Sequence, residues 1–436
     1  MSFEPVLLRN VKAPGEPSPP PLDYRSYRDS GGYQGLAKAV SMDPDEVIEM
    51  TKASGLRGRG GAGFPAGLKW SFIPKDIDKP KYLVCNADES EPGTFKDRIL
   101  METDPHQLIE GCAICCYAVG ANVCYIYIRG EYVEPANILE AAITEAYNEG
   151  VLGNSVLGKG FKLDMHVHRG AGAYICGEET GMLESLEGKR GQPRVKPPFP
   201  ALVGAFGCPT VINNVETLCN LPHILTRGAE WFAGIGTNER NTGPKLYCIS
   251  GHVALPGVYE YPIGVTLDEL VDAAGGVYRG RKLKAYIPGG ASAAMLSANQ
   301  TDIPMDFDSL IEAGSMLGSA AVVVMDETTC LVRAVWRLAK FFAHESCGQC
   351  TPCREGTNWS QLVLGRIERG EATSADADLL LRMTGNMSGT ALCALADACV
   401  GPVRSLVTNF RPEIEAHFAN GETSGSCPLP SEKVFA

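Results

Sequence analysis

Three cysteines fall at Cys347, Cys350 and Cys353, in the run Cys-Gly-Gln-Cys-Thr-Pro-Cys. Thiolates at i, i+3 and i+6 wrap one corner of a cuboidal iron–sulfur cluster, which needs a fourth ligand from elsewhere in the chain. Zinc sites usually pair two separated Cys-x-x-Cys units, so the spacing points to [4Fe–4S] ahead of zinc and of no metal. On chemistry alone the fourth ligand stays open between Cys393, Cys399 and Cys427. Cys393 leads, because it opens an apparent helix turn and lies away from the tail of the chain. The other cysteines, Cys112, Cys115 and Cys116 among them, read as small buried apolar residues.

A second chemistry is written in glycine. Residues 55–67 run Gly-Leu-Arg-Gly-Arg-Gly-Gly-Ala-Gly-Phe-Pro-Ala-Gly, six glycines in thirteen positions. Backbone N–H groups with no side chain over them cradle phosphate, and Arg57, Arg59 and Lys69 add positive charge. One such loop is weak evidence, but a second at 170–177 makes a nucleotide or flavin site the favoured reading. The first loop lacks the Gly-Lys-Ser/Thr of a P-loop. It also follows a helix rather than a strand, a departure from the usual Rossmann arrangement.

Around these loops stand Glu89, Glu91, Glu178 and Glu179, for which helix N-terminal acids and solvated turn residues are the rival reading. His166 and His168 alternate along a strand as core or second-face histidines do, with no carboxylate spacing to support a metal site. Phe64, Phe72 and Phe199 lie close to Gly, Pro or loop residues, so a clamp for a flat base competes with a place in the core. No Ser/His/Asp or Cys/His nucleophile arrangement stands out.

The elements that must position these groups follow from local pattern. Asp43-Pro44-Asp45-Glu46 predicts a helix running to about Ser54, with a capping acid, proline in the first turn and acids at the positive helix end. A short strand is expected over 82–85, leading directly into Asn86-Ala-Asp-Glu-Ser-Glu-Pro-Gly93, and a strand's carboxyl end is where open α/β sheets place ligands. Helices are expected over 136–148 and 178–186, and a strand over 164–168. Gly111 to Ile128 carries no formal charge over 18 residues, but Gly120-Ala121-Asn122 interrupts it. A helix, a turn and a buried strand explain that run better than a membrane span.

Alternating strands and helices predict an α/β sandwich over about the first 240 residues. Strands at 245–250, 257–261 and 284–287, with a helix at 267–274, predict a small α+β unit over 245–330. Helical periodicity then dominates 331–436 to about Ala419. Prolines at 14, 17, 19, 20 and 21 make the lead segment extended, and mobile or draped on a neighbour.

With 436 residues, two or three domains are expected. Lys+Arg 39 against Asp+Glu 51 leaves −12, which argues against a nucleic-acid partner. The sixteen cysteines follow no basic-then-apolar leader at residues 1–5, so a reduced, cytosolic-type compartment and a soluble chain are expected.

Six stretches in order resemble one family, the NADH-binding flavoprotein subunit of respiratory complex I, NADH:quinone oxidoreductase. They are Gly58-Arg-Gly-Gly-Ala-Gly-Phe-Pro-Ala-Gly67, Asn86-Ala-Asp-Glu-Ser-Glu-Pro-Gly93, Gly172-Ala-Tyr-Ile-Cys-Gly-Glu-Glu-Thr180, Lys196-Pro-Pro-Phe-Pro200, Ile212-Asn-Asn-Val-Glu-Thr217 and Glu345-Ser-Cys-Gly-Gln-Cys-Thr-Pro-Cys-Arg354. The resemblance runs from about Tyr24 to His417.

It implies an α/β fold, α+β over the whole multidomain chain. A Rossmann-like FMN/NADH domain with its lead would occupy 1–240, a ubiquitin-like β-grasp 245–330, and a helical bundle with the [4Fe–4S] cluster 331–436. The same resemblance implies non-covalent FMN held by Lys69, Asn86, Asp88, Gly170, Tyr174, Gly177, Glu178, Lys196, Asn213, Asn214 and Thr217. NADH would lie over Gly58, Arg59, Gly60, Gly61, Gly63 and Gly67, with Phe64, Phe72 and Phe199 around the adenine. Glu91 and Glu179 would stand near the nicotinamide end. Cys393, in Leu392-Cys-Ala-Leu-Ala-Asp397, matches the family's fourth cluster ligand, while Cys399 stands where the family commonly has alanine.

The implied activity is oxidation of NADH at FMN, with electrons passed singly to the cluster. NADH gives up a hydride whereas a cluster takes one electron at a time, so a flavin between them needs no general acid or nucleophile from the protein. Implied partners are a thioredoxin-like [2Fe–2S] subunit and a large multi-cluster iron–sulfur subunit, with the membrane reached only through the complex. The expected place is the cytoplasmic face of the inner membrane, or the matrix side in an organelle. A diaphorase subunit of an NAD-linked hydrogenase or formate dehydrogenase shares these motifs. Such relatives often carry an N-terminal cysteine-bearing extension, and with Cys85 as the first cysteine complex I is the expectation. A metal-binding scaffold is the rival from another class.

Overall fold

The charge-free run folds as a buried helix and a buried strand. In the computed structural model, which describes residues 3–17 and 19–418, helix Pro105–Val119 is apolar on nearly every side and buried along almost its whole length. Asp104 caps its start, and Gly120 ends it in the left-handed region at φ +71°. A Cβ at Gly111 would sit 2.2 Å from the Leu218 carbonyl oxygen, so glycine is what lets this helix close on helix Val215–Cys219. Among the described residues no helix is long and apolar enough to cross a membrane.

Contacts divide the chain into two compact units. The first comprises Met1–Ser90, Thr94–Cys248 and Gly257–Val265; the second comprises Glu91–Gly93, Ile249–Pro256 and Thr266–Ala436. The expected boundary at 330/331 falls inside the second unit. Residues 419–436, including Cys427, lie outside the described residues.

The first unit is built on four parallel strands: β1 (Tyr82–Ala87), β2 (Val123–Ile128), β3 (Asp164–Arg169) and β4 (Thr210–Asn214). Their spatial order is β3-β2-β1-β4, so the chain reverses its direction of winding between β1 and β4. Both central strands are mostly apolar and buried, as parallel strands covered on two faces must be. Helix Pro44–Ala53 begins as its sequence predicts, with a capping box in which Asp43 and Glu46 bond each other's backbone N–H groups. Helix Val133–Asn148 starts three residues earlier than expected, and strands β1 and β3 run to Ala87 and Arg169.

The start of the lead segment is anchored, upstream of most of its prolines. Val6, Leu7 and Leu8 are buried within this same unit, and their backbone N–H groups donate to the Glu260 carboxylate at 2.8–3.0 Å. Pro14 packs so closely on Gly257 that a Cβ there would meet it at 2.6 Å. A buried acid that gathers successive N–H groups ties down residues 6–8, upstream of the prolines at 14–21.

In the second unit, strands Leu283–Ile287, Leu296–Ser297 and Ala321–Asp326 pair antiparallel, followed by helices Leu331–Glu345, Thr351–Glu368, Ser374–Met387, Leu395–Asn409 and Arg411–Glu415. The first four of these helices pack on one another. Gly356 lies so close to Met387 that a Cβ would meet its side chain at 2.6 Å, and Gly401 approaches the Ser292 carbonyl in the same way.

Candidate functional site

Asn86, the last residue but one of β1, and Asn214, which ends β4, stand directly opposite in register at the point where the strand order reverses. Open α/β sheets bind ligands in the crevice outside the carboxyl ends at such a point. Each glycine loop is anchored on one of these asparagines. A Cβ at Gly60 would stand 2.8 Å from the Asn214 Cβ, and Asn86 Nδ2 donates to the Gly177 carbonyl at 2.9 Å. At the tip of the first loop Gly61 has φ +140°, and a Cβ there would meet nothing within 4 Å. That bare peptide edge is room a phosphate or a ring can occupy, so the residues present fit a nucleotide or flavin.

The charged groups at this edge form one cluster. Glu179, in the first turn of helix Glu179–Leu186, accepts from Lys69 Nζ at 3.2 Å and from Lys196 Nζ at 2.9 Å. Burial raises its carboxyl, but the two lysine charges outweigh that and hold it below the ordinary value. Lys196 is raised in turn: burial opposes its charge, and Glu179 and Glu178 more than compensate. Lys196 also reaches Glu178 Oε1 at 3.0 Å.

Several expected site residues prove to hold the scaffold. Glu178 is the N-cap, not the first residue, of its helix; its Oε2 accepts from Thr180 N and Gly181 N at 2.8 Å. Glu89 reaches across to the start of helix Lys96–Thr103, whose N-cap is Phe95, accepting from Asp97 N and Arg98 N, and burial pushes its carboxyl up to about 7. Asn213 Oδ1 accepts from Trp70 Nε1 at 2.9 Å. Asn214 caps helix Val215–Cys219 and donates to Asp97 at 2.6 Å. Thr217 Oγ1 accepts from Arg59 N at 2.8 Å. Asp88 bonds Ser90 and, through its N–H, Asn86 Oδ1.

Arg59 is a correction to the picture of a cationic loop surface. Its side chain is fully buried and donates to the Thr242 carbonyl, and burial lowers its guanidinium to about 10. Arg57 likewise spans the loop internally, donating to the Gly63 carbonyl at 2.7 Å. Of the three expected cations, Lys69 alone faces the acidic cluster. A Cβ at Gly58 would stand 3.4 Å from the Phe64 carbonyl oxygen and one at Gly67 2.7 Å from Lys52 N, while Gly63 turns at φ +63°. Gly170 lies against the Tyr127 hydroxyl, and Tyr174 opens the short 3₁₀ turn Tyr174–Gly177.

The aromatics do not enter the core. Phe64, Phe72 and Phe199 are 46%, 51% and 57% exposed, and the rings of Phe64 and Phe72 sit 6.3 Å apart. Three large apolar side chains left in water, Phe64 within the first glycine loop and Phe72 against it, favour the clamp reading. His166 and His168 stand on the edge strand β3, opposite Tyr125 and Tyr127 and in ring contact with them, as surface-face residues.

In the second unit Glu91 accepts from Ser292 N at 2.7 Å and Ser292 Oγ at 2.6 Å. The cysteine loop of that unit lies between helices Leu331–Glu345 and Thr351–Glu368. Gly348 turns it in the left-handed region at φ +79°, and Arg354 Nη1 holds the Gly348 carbonyl at 2.9 Å. Cys350 is the N-cap of the second helix, and Cys353 is buried in its first turn beside Ser346 Oγ at 3.3 Å. Burial, with Cys350 and Cys347 nearby, pushes the Cys353 thiol up to about 11. Three sulfurs gathered this way become thiolates together only against a cation, so the donor set fits an iron–sulfur cluster.

Cys393 lies in the loop two residues before helix Leu395–Asn409, whose N-cap is Ala394, and is half-buried. It therefore precedes the helix rather than opening it. Cys399 lies within that helix, fully buried, its thiol pushed up to about 12 by burial and by Cys353 nearby. The other described cysteines are buried except Cys208, as expected of packing residues.

Comparison with known proteins agrees with this division of chemistry. A model of the Nuo51 FMN-binding domain matches residues 51–223, one of the SLBB domain 246–291, and one of the NADH-ubiquinone oxidoreductase-F iron-sulfur binding region 333–417. The chain is 57% identical over 417 residues to an NADH-quinone oxidoreductase subunit of Rhizobium meliloti, covering 95% of this chain and 98% of that one. It is 51% identical to an NADH-quinone oxidoreductase subunit of Streptomyces coelicolor, covering 94% and 90%. Among solved structures, a chain of NAD+-reducing [NiFe]-hydrogenase in the air-oxidized state matches with a TM-score of 0.79 at 40% identity. That match covers 87% of this chain but 65% of the hydrogenase chain, so this protein spans about two thirds of its length.

Proposed function

The chain belongs to the family of NADH-quinone oxidoreductase subunits that carry the Nuo51 FMN-binding domain and oxidises NADH by way of FMN and an iron–sulfur cluster, and on that premise we propose which residues do each part. FMN and the nucleotide of NADH occupy the crevice at the carboxyl ends of β1 and β4. The observation that carries this is the anchoring of both glycine loops on Asn86 and Asn214 at the switch point.

Bound FMN supplies acceptance of a hydride as an electron pair, and a bound [4Fe–4S] cluster supplies single-electron acceptance. The protein's part is to bind, orient and exclude water. Gly58, Gly60, Gly61, Gly63 and Gly67 present backbone to the dinucleotide, and Arg59 fixes the loop from beneath. Phe64, Phe72 and Phe199 close on the adenine. Lys69, Asn86, Asp88, Gly170, Tyr174, Gly177, Glu178, Lys196, Asn213, Asn214 and Thr217 shape the flavin's bed, several of them through groups already bonded within the scaffold. Glu179, ionised between two lysines, and Glu91, fixed by Ser292, set the charge near the nicotinamide. Cys347, Cys350, Cys353 and Cys393 hold the cluster.

The chain works with other subunits of an NADH-quinone oxidoreductase complex. We assign as its neighbours a thioredoxin-like [2Fe–2S] subunit and a large multi-cluster subunit. Its place is then the cytoplasmic face of the inner membrane, or the matrix side in an organelle. The division into 1–240, 245–330 and 331–436 is supported by three family models, each falling within one of these regions.

The hydrogenase likeness favours a second reading, a diaphorase subunit. The 57% identity to the Rhizobium protein, against 40% to the hydrogenase chain, supports the first. Addition of NADH to the purified chain without oxygen tests the proposal: the flavin band bleaches and a cluster signal grows. A chain that leaves NADH unoxidised contradicts it.

A further inference from the structure

Cys330, Glu368 and His417 come together in the second unit, and nothing in the NADH chemistry uses them. They sit at three helix ends: Cys330 is the N-cap of Leu331–Glu345, Glu368 is the last residue of Thr351–Glu368, and His417 follows Arg411–Glu415. All three are at least 95% buried, at 3%, 4% and 1% exposed. Cys330 Sγ lies 3.6 Å from His417 Nε2 and 3.9 Å from Glu368 Oε2, and His417 Nε2 lies 3.9 Å from the same oxygen. The residues are 38 and 87 positions apart, so no short motif announces them.

The atoms around the triangle set its chemistry. His417 Nδ1 is 2.9 Å from the Glu413 carbonyl oxygen. A carbonyl only accepts, so Nδ1 carries a proton, and Nε2 is the ring nitrogen that faces Cys330 and Glu368. Glu368 Oε1 is held by Arg333 Nε at 2.6 Å, which leaves Oε2 aimed at the triangle. Cys330 Sγ accepts from Arg333 N at 3.5 Å, at the positive end of a 15-residue helix that favours the thiolate. Metal-binding histidines and carboxylates are oriented by outer hydrogen bonds of this kind.

The spacing also suits an ion. Zn–S near 2.3 Å and Zn–N or Zn–O near 2.0–2.1 Å give tetrahedral ligand–ligand edges of about 3.3–3.6 Å. The 3.6 Å sulfur–nitrogen edge falls in that range and the two 3.9 Å edges exceed it by a few tenths of an ångström, while 3.9 Å between nitrogen and oxygen is too long for a direct hydrogen bond. We propose that Cys330, Glu368 and His417 bind a zinc ion, with water in the fourth position. The ion balances a thiolate and a carboxylate in a buried place and ties the start of one bundle helix to the end of the next and to the segment after the last.

The test uses the full chain loaded with FMN and iron, treated with excess Zn2+ and freed of loose metal on a chelating resin. Elemental analysis is expected to find about one zinc per wild-type chain and almost none in Cys330→Ala, with iron and FMN contents equal in both. Zinc-edge X-ray absorption of the wild type should show a single sulfur among nitrogen and oxygen neighbours. His417→Gln provides the same comparison should Cys330→Ala fail to fold. Wild type that retains no zinc, or zinc retained equally in the folded variant, overturns the proposal.

Discussion

Lys69 Nζ and Glu179 Oε2 meet at 3.2 Å, joining two residues 110 positions apart at the open edge of the parallel sheet. Both side chains keep about 30% of their surface in water, 30% and 27%, so the pair adds little to stability. Its effect is to fix a negative charge between two lysines where the dinucleotide is proposed to lie.

NADPH carries one phosphate more than NADH, so a fixed negative charge beside the dinucleotide disfavours it, and Glu179→Gln is expected to raise the NADPH/NADH ratio of kcat/KM. Removing one like-charge repulsion of about 1 kcal/mol corresponds to roughly fivefold. The Glu179 carboxyl is held below its ordinary value, so its charge persists as pH falls through the usual carboxylate range. Glu179 therefore stays mainly ionised down to its ordinary value of 4.5, and a change in discrimination above that pH belongs to the phosphate of NADPH. An unchanged ratio in the variant removes Glu179 from the account.

Beneath this site Glu216 is fully buried and receives Lys96 Nζ at 2.9 Å and Lys245 Nζ at 2.7 Å on one oxygen. Its other oxygen accepts from Leu246 N at 2.9 Å. Glu216→Ala leaves two buried ammonium groups with one fewer partner, and breaking such a pair costs about 3–5 kcal/mol. Denaturant unfolding should show a loss of that size; a loss below about 1 kcal/mol would mean the network is dispensable.

The Glu260 carboxylate holds the amides of Val6, Leu7 and Leu8, and burial pushes it up to about 7 from 4.5. Glu260→Ala should release residues 6–8, read as faster hydrogen exchange at those amides and earlier proteolysis of the lead segment. A raised folded value gives a contribution that is full below about 4.5 and fades as pH rises through about 7. The stability difference between wild type and Glu260→Gln should then change across that window. Unaltered exchange at 6–8 would contradict the latch.

Local pattern made much of this legible. The capping acid and proline of Pro44–Ala53, the interrupted uncharged run and the cysteine spacing each state their structure within a few residues. Direction and distance were not legible. Glu178 and Glu179 are neighbours, yet one caps a helix and the other faces two lysines, because the helix begins one residue later than its acids suggest. A glycine-rich run with arginines does not reveal that Arg59 turns inward to Thr242, some 183 positions away. The anchoring of the lead on Glu260 and the Cys330–Glu368–His417 group likewise join residues that only the folded chain brings together.

The central claim is that electrons leave NADH for a cluster held by Cys347, Cys350, Cys353 and Cys393, although buried Cys399 lies beside Cys353. Low-temperature EPR of the FMN-loaded chain, reduced with NADH without oxygen, tests it most directly. The account predicts a reduced [4Fe–4S] signal in wild type and in Cys399→Ala, and its loss in Cys393→Ala. A full signal in Cys393→Ala with loss in Cys399→Ala, or no signal in wild type, would contradict it.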